Sequence, residues 1–146
     1  MYNIHKSAIV LHPAAKMFKL VDEVENYPNF LPWCGSTRII HRDSEITRAS
    51  IEINFKGIRQ SFTTENIKKS DQLMHIRLID GPFKHLSGSW LFNKLDVNSC
   101  QIELTLEYQF SNILLETLIS PVFNIIANTF IDEFIKEANR RSNDQW

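Results

Sequence analysis

A chain of 146 residues suffices for one domain and removes roughly 70% of its unfolded surface from water, which leaves room for a core that encloses a cavity. Lys and Arg total 16 against 17 Asp and Glu, so no net field draws the protein to nucleic acid or anionic lipid, and any such contact has to be local. The two cysteines, Cys34 and Cys100, form no CxxC pair, and the first residues carry neither a secretion-signal nor a transit-peptide pattern. The expectation is a reduced, cytoplasmic protein with both thiols buried as small hydrophobes.

Ile4 to Leu11 reads as a first strand, with Ile4, Ala8 and Val10 on alternate positions. Pro13 then opens a helix to Val24 whose apolar face is Ala14, Met17, Phe18 and Val21. Tyr27 to Trp33 packs two prolines and three aromatics into seven residues, which predicts a compact turn or a single helical turn.

From Cys34 onward the period changes from helix to sheet. Thr37 to His41 is a strand, and in the next Ala49, Ile51, Ile53 and Phe55 alternate with Ser50, Glu52 and Asn54 before a turn at Lys56-Gly57. Ile58 to Ile67 returns with Phe62 among polar neighbours, Leu73 to Ile79 follows, and Asp80-Gly81-Pro82 makes another tight turn. Leu86, Gly88, Trp90 and Phe92 share one face of the sixth strand. The seventh alternates most regularly, with Cys100, Ile102, Leu104, Leu106, Tyr108 and Phe110 inward and Gln101 to Gln109 outward.

The last third reads as one amphipathic helix from Leu114 to Arg141, ~40 Å long. Its stripe runs Leu115, Leu118, Ile119, Val122, Phe123, Ile126, Phe130, Phe134 and Ala138. Ile125, Ala127, Ile131 and Ile135 widen it, and Glu116, Asn124, Asp132, Glu133, Lys136 and Glu137 keep to the other side. Pro121 admits two readings: Ser120 caps a new helix that begins at Pro121, or one kinked helix runs through. A membrane span is excluded by Glu116, Asn124 and Asn128, with Asp132 and Glu133 directly after. A meander of strands with one apolar face needs a cover, and only this helix is large enough, so the expectation is an α+β domain, residues 1–146, whose curved antiparallel sheet wraps the C-terminal helix.

Tyr27-Pro28-Asn29-Phe30-Leu31-Pro32-Trp33-Cys34, Asp80-Gly81-Pro82-Phe83, Leu86-x-Gly88-x-Trp90-x-Phe92 and Ala127-Asn128 resemble, in matching order along the chain, the bacterial ribosome-association toxins and the coenzyme Q-binding proteins, both of the START-like superfamily. The resemblance implies a helix-grip fold with two short helices after the first strand. It implies one of two roles: a tunnel between sheet and helix that holds ubiquinone or a similar isoprenoid lipid in support of respiration, or toxin-like binding to the large ribosomal subunit that blocks subunit joining.

The residues expected to line such a tunnel are Ile51, Ile53, Phe55, Phe62, Leu86, Trp90, Leu104, Leu106 and Tyr108 of the sheet and Phe123, Ile126, Phe130 and Phe134 of the helix, with Trp90 and Tyr108 as polar handles. A filled core would use the same residue types. Tyr27, Phe30, Leu31 and Trp33 are expected at the mouth, either as a plug or as an apolar tip for transient contact with the inner membrane. His5, His12, His41, His75 and His85 lack metal-ligand spacing and no nucleophile with a paired base is visible, so the expectation is a binding protein with no catalytic residues, no metal and no cofactor other than ubiquinone as bound ligand. Lys56, Arg59, Lys68, Lys69, Arg140 and Arg141 are scattered among acids and read as solvated charges.

Overall fold

The computed structural model describes residues 1–141. Seven strands, β1 (Tyr2–Val10), β2 (Cys34–Arg42), β3 (Ile46–Phe55), β4 (Ile58–Lys69), β5 (Leu73–Asp80), β6 (Phe83–Asp96) and β7 (Ser99–Phe110), form one sheet in the order β1-β7-β6-β5-β4-β3-β2, every neighbouring pair antiparallel. Helix α1 (Ala14–Asp22) and a 3-10 helix (Val24–Asn29) carry the chain from one sheet edge to the other, and α2 (Ile113–Arg141) packs against β1, β4 and β7. Register breaks between Thr63 and Thr64 in β4, between Phe83 and His85 in β6 and twice along β2 are the bulges that bend such a sheet around a helix.

The local chemistry is legible. Lys56 and Gly57 both take positive φ, 52° and 82°, as a two-residue hairpin turn demands, and Phe55 pairs with Ile58 across it. Gly81 lies so close to β4 that an added Cβ would sit 2.7 Å from Cβ of Phe62, so the β5–β6 turn presses on that ring only because residue 81 has no side chain.

The helix α2 is continuous through Pro121, which selects the second of the two sequence readings. Its cap is Asn112, not Ser120: Asn112 Oδ1 accepts from Leu115 N at 2.9 Å, while Thr117 Oγ1 donates to the carbonyl of Ile113. The buried stripe holds Ile119, Val122, Phe123, Ile126, Ala127, Ile131, Phe134 and Ala138. Leu118 and Ile125, expected on it or beside it, are 54% and 43% exposed and share a face with Leu114, because the concave sheet is narrower than the apolar arc of the helix. Glu137, expected on the polar side, is buried, and it is compensated there by Arg140 and Arg141, whose guanidinium nitrogens lie 2.7 Å from its carboxylate.

Lys68 also departs from expectation. It shares the inward face of β4 with Phe62, Thr64 and Asn66, its side chain is 5% exposed, and its Nζ lies 3.1 Å from Asp22 Oδ2 at the end of α1. Asp22 also accepts from Thr47 Oγ1 at 2.7 Å, its carbonyl accepts from Arg42, and Arg42 clasps Glu25 through two nitrogens. This network fastens α1 and the 3-10 helix to β2, β3 and β4 at one end of the sheet.

Candidate functional site

Beneath α2 and beside that fastening lies a cavity of about 70 Å³. Strands β3 to β7 contribute Ile51, Phe62, Thr64, Asn66, Ile76, Leu86, Trp90 and Leu106, and α2 contributes Phe123, Ile126, Ala127 and Phe130. Val21, Val24, Tyr27 and Trp33 close the end. Among the described residues no Lys, Arg, His, Asp or Glu lines the wall.

Aromatic rings set its shape. Phe130 lies between two tryptophans, with ring centroids 5.8 Å from Trp33 and 5.8 Å from Trp90. Tyr27 meets Phe134 edge-on at 5.3 Å, and Phe123 meets Phe83 and Phe62 in the same manner at 5.0 and 6.4 Å. Such edge-to-face contacts hold ring positions as well as burying area.

Three polar groups on the wall stand out. Tyr27 donates its hydroxyl to the carbonyl of Val21, and burial, the largest influence, pushes the phenol far above its usual range, so it stays protonated. Trp33 Nε1 and Asn66 Oδ1 are buried with no hydrogen-bond partner among the described residues. Buried polar atoms are nearly always paired, so two unpaired ones on one cavity wall are unusual.

Of the residues expected to line a tunnel, Ile51, Phe62, Leu86, Trp90, Leu106, Phe123, Ile126 and Phe130 stand on this wall together with Tyr27 and Trp33. Ile53, Leu104 and Phe134 are packed in the core, because the cavity occupies only part of the space between sheet and helix. Phe55 sits at the β3–β4 turn under Lys56, whose Nζ lies 5.3 Å from its ring centroid. Tyr108 is fully buried and its hydroxyl is engaged by Asn124 Oδ1, which removes it as a free polar handle. Leu31 and Trp33 are buried and Phe30 half-buried against Phe134, so this segment, the plug of the sequence reading, packs inward and is not an exposed apolar tip.

Sequence reading passed over Val21, Val24, Thr64, Asn66, Ile76 and Ala127. A signal for two of them existed: with a period of two, Thr64 and Asn66 must face the same way as Phe62. Four of the five histidines turn out to be paired outside the cavity, His5 with Glu103, His12 with Asn139, His41 with Asp43 and His85 with Glu107. Among the described residues no group of His, Cys, Asp and Glu is arranged to hold a metal.

A curved antiparallel sheet gripping a C-terminal helix over an internal cavity defines a START-like, helix-grip protein. The fold recurs in a crystal structure of the ZhuI aromatase/cyclase from a Streptomyces species, with a TM-score of 0.81 at 17% identity over 98% of this chain and 96% of that one. The chain belongs to the polyketide cyclase / dehydrase and lipid transport family, whose model matches residues 10–135. It is 34% identical over 140 residues to the ribosome association toxin RatA of Vibrio cholerae, covering 96% of this chain and 97% of that one. It is 26% identical to the mitochondrial coenzyme Q-binding protein COQ10 of Drosophila melanogaster, over 94% of this chain and 58% of that one.

Proposed function

We propose that the cavity is the binding site for an uncharged apolar ligand, an isoprenoid quinone of the ubiquinone kind, and that the protein supports respiratory electron transfer by holding it. The observation that carries the reading is the wall itself: aromatic and aliphatic around most of its surface, free of charged side chains, and enclosed between sheet and helix. Burying a long tail gains roughly 0.8 kcal/mol per CH₂, and a wall of this composition returns that gain without stranding a charge. The family's lipid-transport description and the coenzyme Q-binding name of the Drosophila relative agree with it.

A cavity of about 70 Å³ is smaller than the roughly 150 Å³ that admits benzene, so a quinone ring enters only when the plug or α2 shifts. Binding on this reading is coupled to opening, and the tail leaves along the helix. The exposed face of α2 formed by Ile113, Leu114, Leu118 and Ile125 supplies the apolar surface for transient membrane contact, since the plug does not. The wall also lacks an acid–base pair, Tyr27 being locked to Val21, which favours binding over cyclase-type chemistry.

One observation favours a second reading, association with the large ribosomal subunit: the Vibrio relative bearing that name is more similar than the coenzyme Q-binding one. Salt separates the two. Phosphate contacts weaken steeply with salt, whereas tail burial is nearly indifferent to it. Lys68 is tied to Asp22 and unsuitable for the test, so the charges to reverse are Lys56 and Arg59 on the β3–β4 hairpin, Arg59 being 73% exposed at its side chain. Titration with a decyl-tailed ubiquinone analogue should give the same affinity for wild type and the Lys56→Glu/Arg59→Glu double variant at low and moderate salt. No saturable quinone binding, together with salt-sensitive sedimentation with the large subunit that the double variant weakens, would replace the first reading by the second.

A further inference from the structure

We propose that Trp33 and Asn66 form the polar recognition point of the cavity and that its ligand is a neutral molecule with a hydroxylated head, a hydroquinone or comparable hydroxyl-bearing ring, in preference to a carboxylate or a bare hydrocarbon. This rests on the reading of the cavity as a ligand site. Trp33 is 3% and Asn66 7% exposed, both stand on the wall, and Trp33 Nε1 and Asn66 Oδ1 have no partner among the described residues. Each such atom weakens the ligand-free fold, because a buried donor or acceptor left unpaired costs more than a hydrogen bond gains.

The two groups ask for different things. An indole nitrogen only donates, so Trp33 requires an acceptor on the ligand, while Asn66 Oδ1 only accepts and requires a donor. A hydroxyl-bearing ring with a second oxygen offers both. A quinone carbonyl answers Trp33 alone, unless the amide of Asn66 turns over. A fatty-acid carboxylate would bring a charge into a wall that has no cation, and a plain hydrocarbon would leave both groups unpaired. Thr64, between Phe62 and Asn66 on the same face of β4, adds a further hydroxyl to this end of the wall. The rest is apolar, so the ligand's polar end is fixed toward Trp33 and Asn66 and its tail away from them.

The test varies ligand and protein in parallel. Wild-type protein is titrated calorimetrically with a decyl-tailed ubiquinol under anaerobic conditions, with its di-O-methyl ether, with the matching quinone, with decylphenol and with decanoate. The ether keeps the acceptors, has no donor and adds two methyl groups, while the quinone removes the donors at nearly unchanged size; both should bind about tenfold or more weaker than the quinol, as expected when a buried acceptor loses its partner. Decanoate should not bind measurably. Asn66→Leu keeps the side-chain size and Trp33→Phe keeps an aromatic ring at the site, and each removes one polar group. Either change should lower quinol affinity by about tenfold, and Asn66→Leu should raise the melting temperature of the ligand-free protein.

Equal affinity of wild type for quinol and ether would overturn the proposal, and this arm requires no variant to fold. So would decanoate binding as tightly as the quinol, or Asn66→Leu with unchanged quinol affinity. If wild type binds decylphenol in a Trp33- and Asn66-dependent way but neither quinol nor quinone, the recognition point stands and the quinone reading falls. If it binds quinol and quinone but both variants are indifferent, the quinone reading stands and the recognition point falls. If it binds none of the probes, both fall.

Discussion

The ring of Phe130 is wedged between Trp33 and Trp90, 5.8 Å from each, and so links the helix α2 to the plug on one side and the sheet on the other. Phe130 is the ring on the cavity wall whose movement would open the cavity toward the plug. Phe130→Ala should cost about 3 kcal/mol, at the low end for a phenylalanine because the ring is half-buried. It should also let the protein take up benzene-sized molecules, seen as a rise in melting temperature with toluene that wild type does not show. Phe130→Asp should abolish quinone binding and destabilise the fold, since an unpaired carboxylate would face a wall without charge. Toluene affecting neither wild type nor Phe130→Ala would mean that the ring does not limit the cavity.

Cys34 follows the plug directly, and burial pushes its thiol up to about 12, with the Glu52 carboxylate adding to the effect. At pH 8 the folded protein should react with iodoacetamide about a thousandfold more slowly at this position than the unfolded chain, whose thiol titrates at about 8.5. Rapid alkylation of native protein, mapped to Cys34 by peptide mass, would show that the plug opens often.

Glu137 is buried near the end of α2, and hydrogen bonds from Arg140 hold its carboxyl below the usual carboxylate range, Arg141 adding to the effect. A carboxylate whose folded pKa is depressed stabilises the fold fully above its unfolded value, about 4.3, and that contribution is lost as pH falls through the folded value. Wild type should therefore lose stability below about pH 4. Glu137→Gln should be less stable by about 1–3 kcal/mol at pH 7, with the gap closing in acid. A constant difference from pH 7 to pH 3 would remove the ionised pair as its cause.

Much of this was legible in the chain, and the reasons it was or was not are specific. β7 alternates without a break and β3 nearly so, so their inward faces could be read residue by residue. β4 could not. Its inward face grades from Phe62 through Thr64 and Asn66 to Lys68, so an apolar pattern search sees one phenylalanine in a polar strand, although all four side chains are enclosed. The polar end of the cavity lies there for that reason. Pro121 left two readings open, and Asn112 decides between them, because it starts the helix early enough for the ladder to run through. The burial of Lys68 and Glu137 depends on partners that no local pattern announces, Asp22 being 46 residues from Lys68 in the chain.

The exposed apolar face of α2 bears on loading. Leu114→Gln with Leu118→Gln, at positions 65% and 54% exposed, should slow transfer of a quinone from vesicles severalfold while leaving equilibrium affinity in detergent unchanged. Parallel loss of affinity would place these residues in the binding site, and unchanged transfer would put membrane contact elsewhere.

The most direct measurement is the lipid content of the purified protein. An organic extract of wild type, examined by mass spectrometry against a known protein amount, should contain a neutral isoprenoid quinone or quinol in near-stoichiometric yield. Ala127→Leu, which adds bulk to a cavity-lining position that is 2% exposed, should carry little of it while keeping its fold by circular dichroism. Wild type without any such lipid, or equal lipid in both proteins, would contradict the assignment of the cavity.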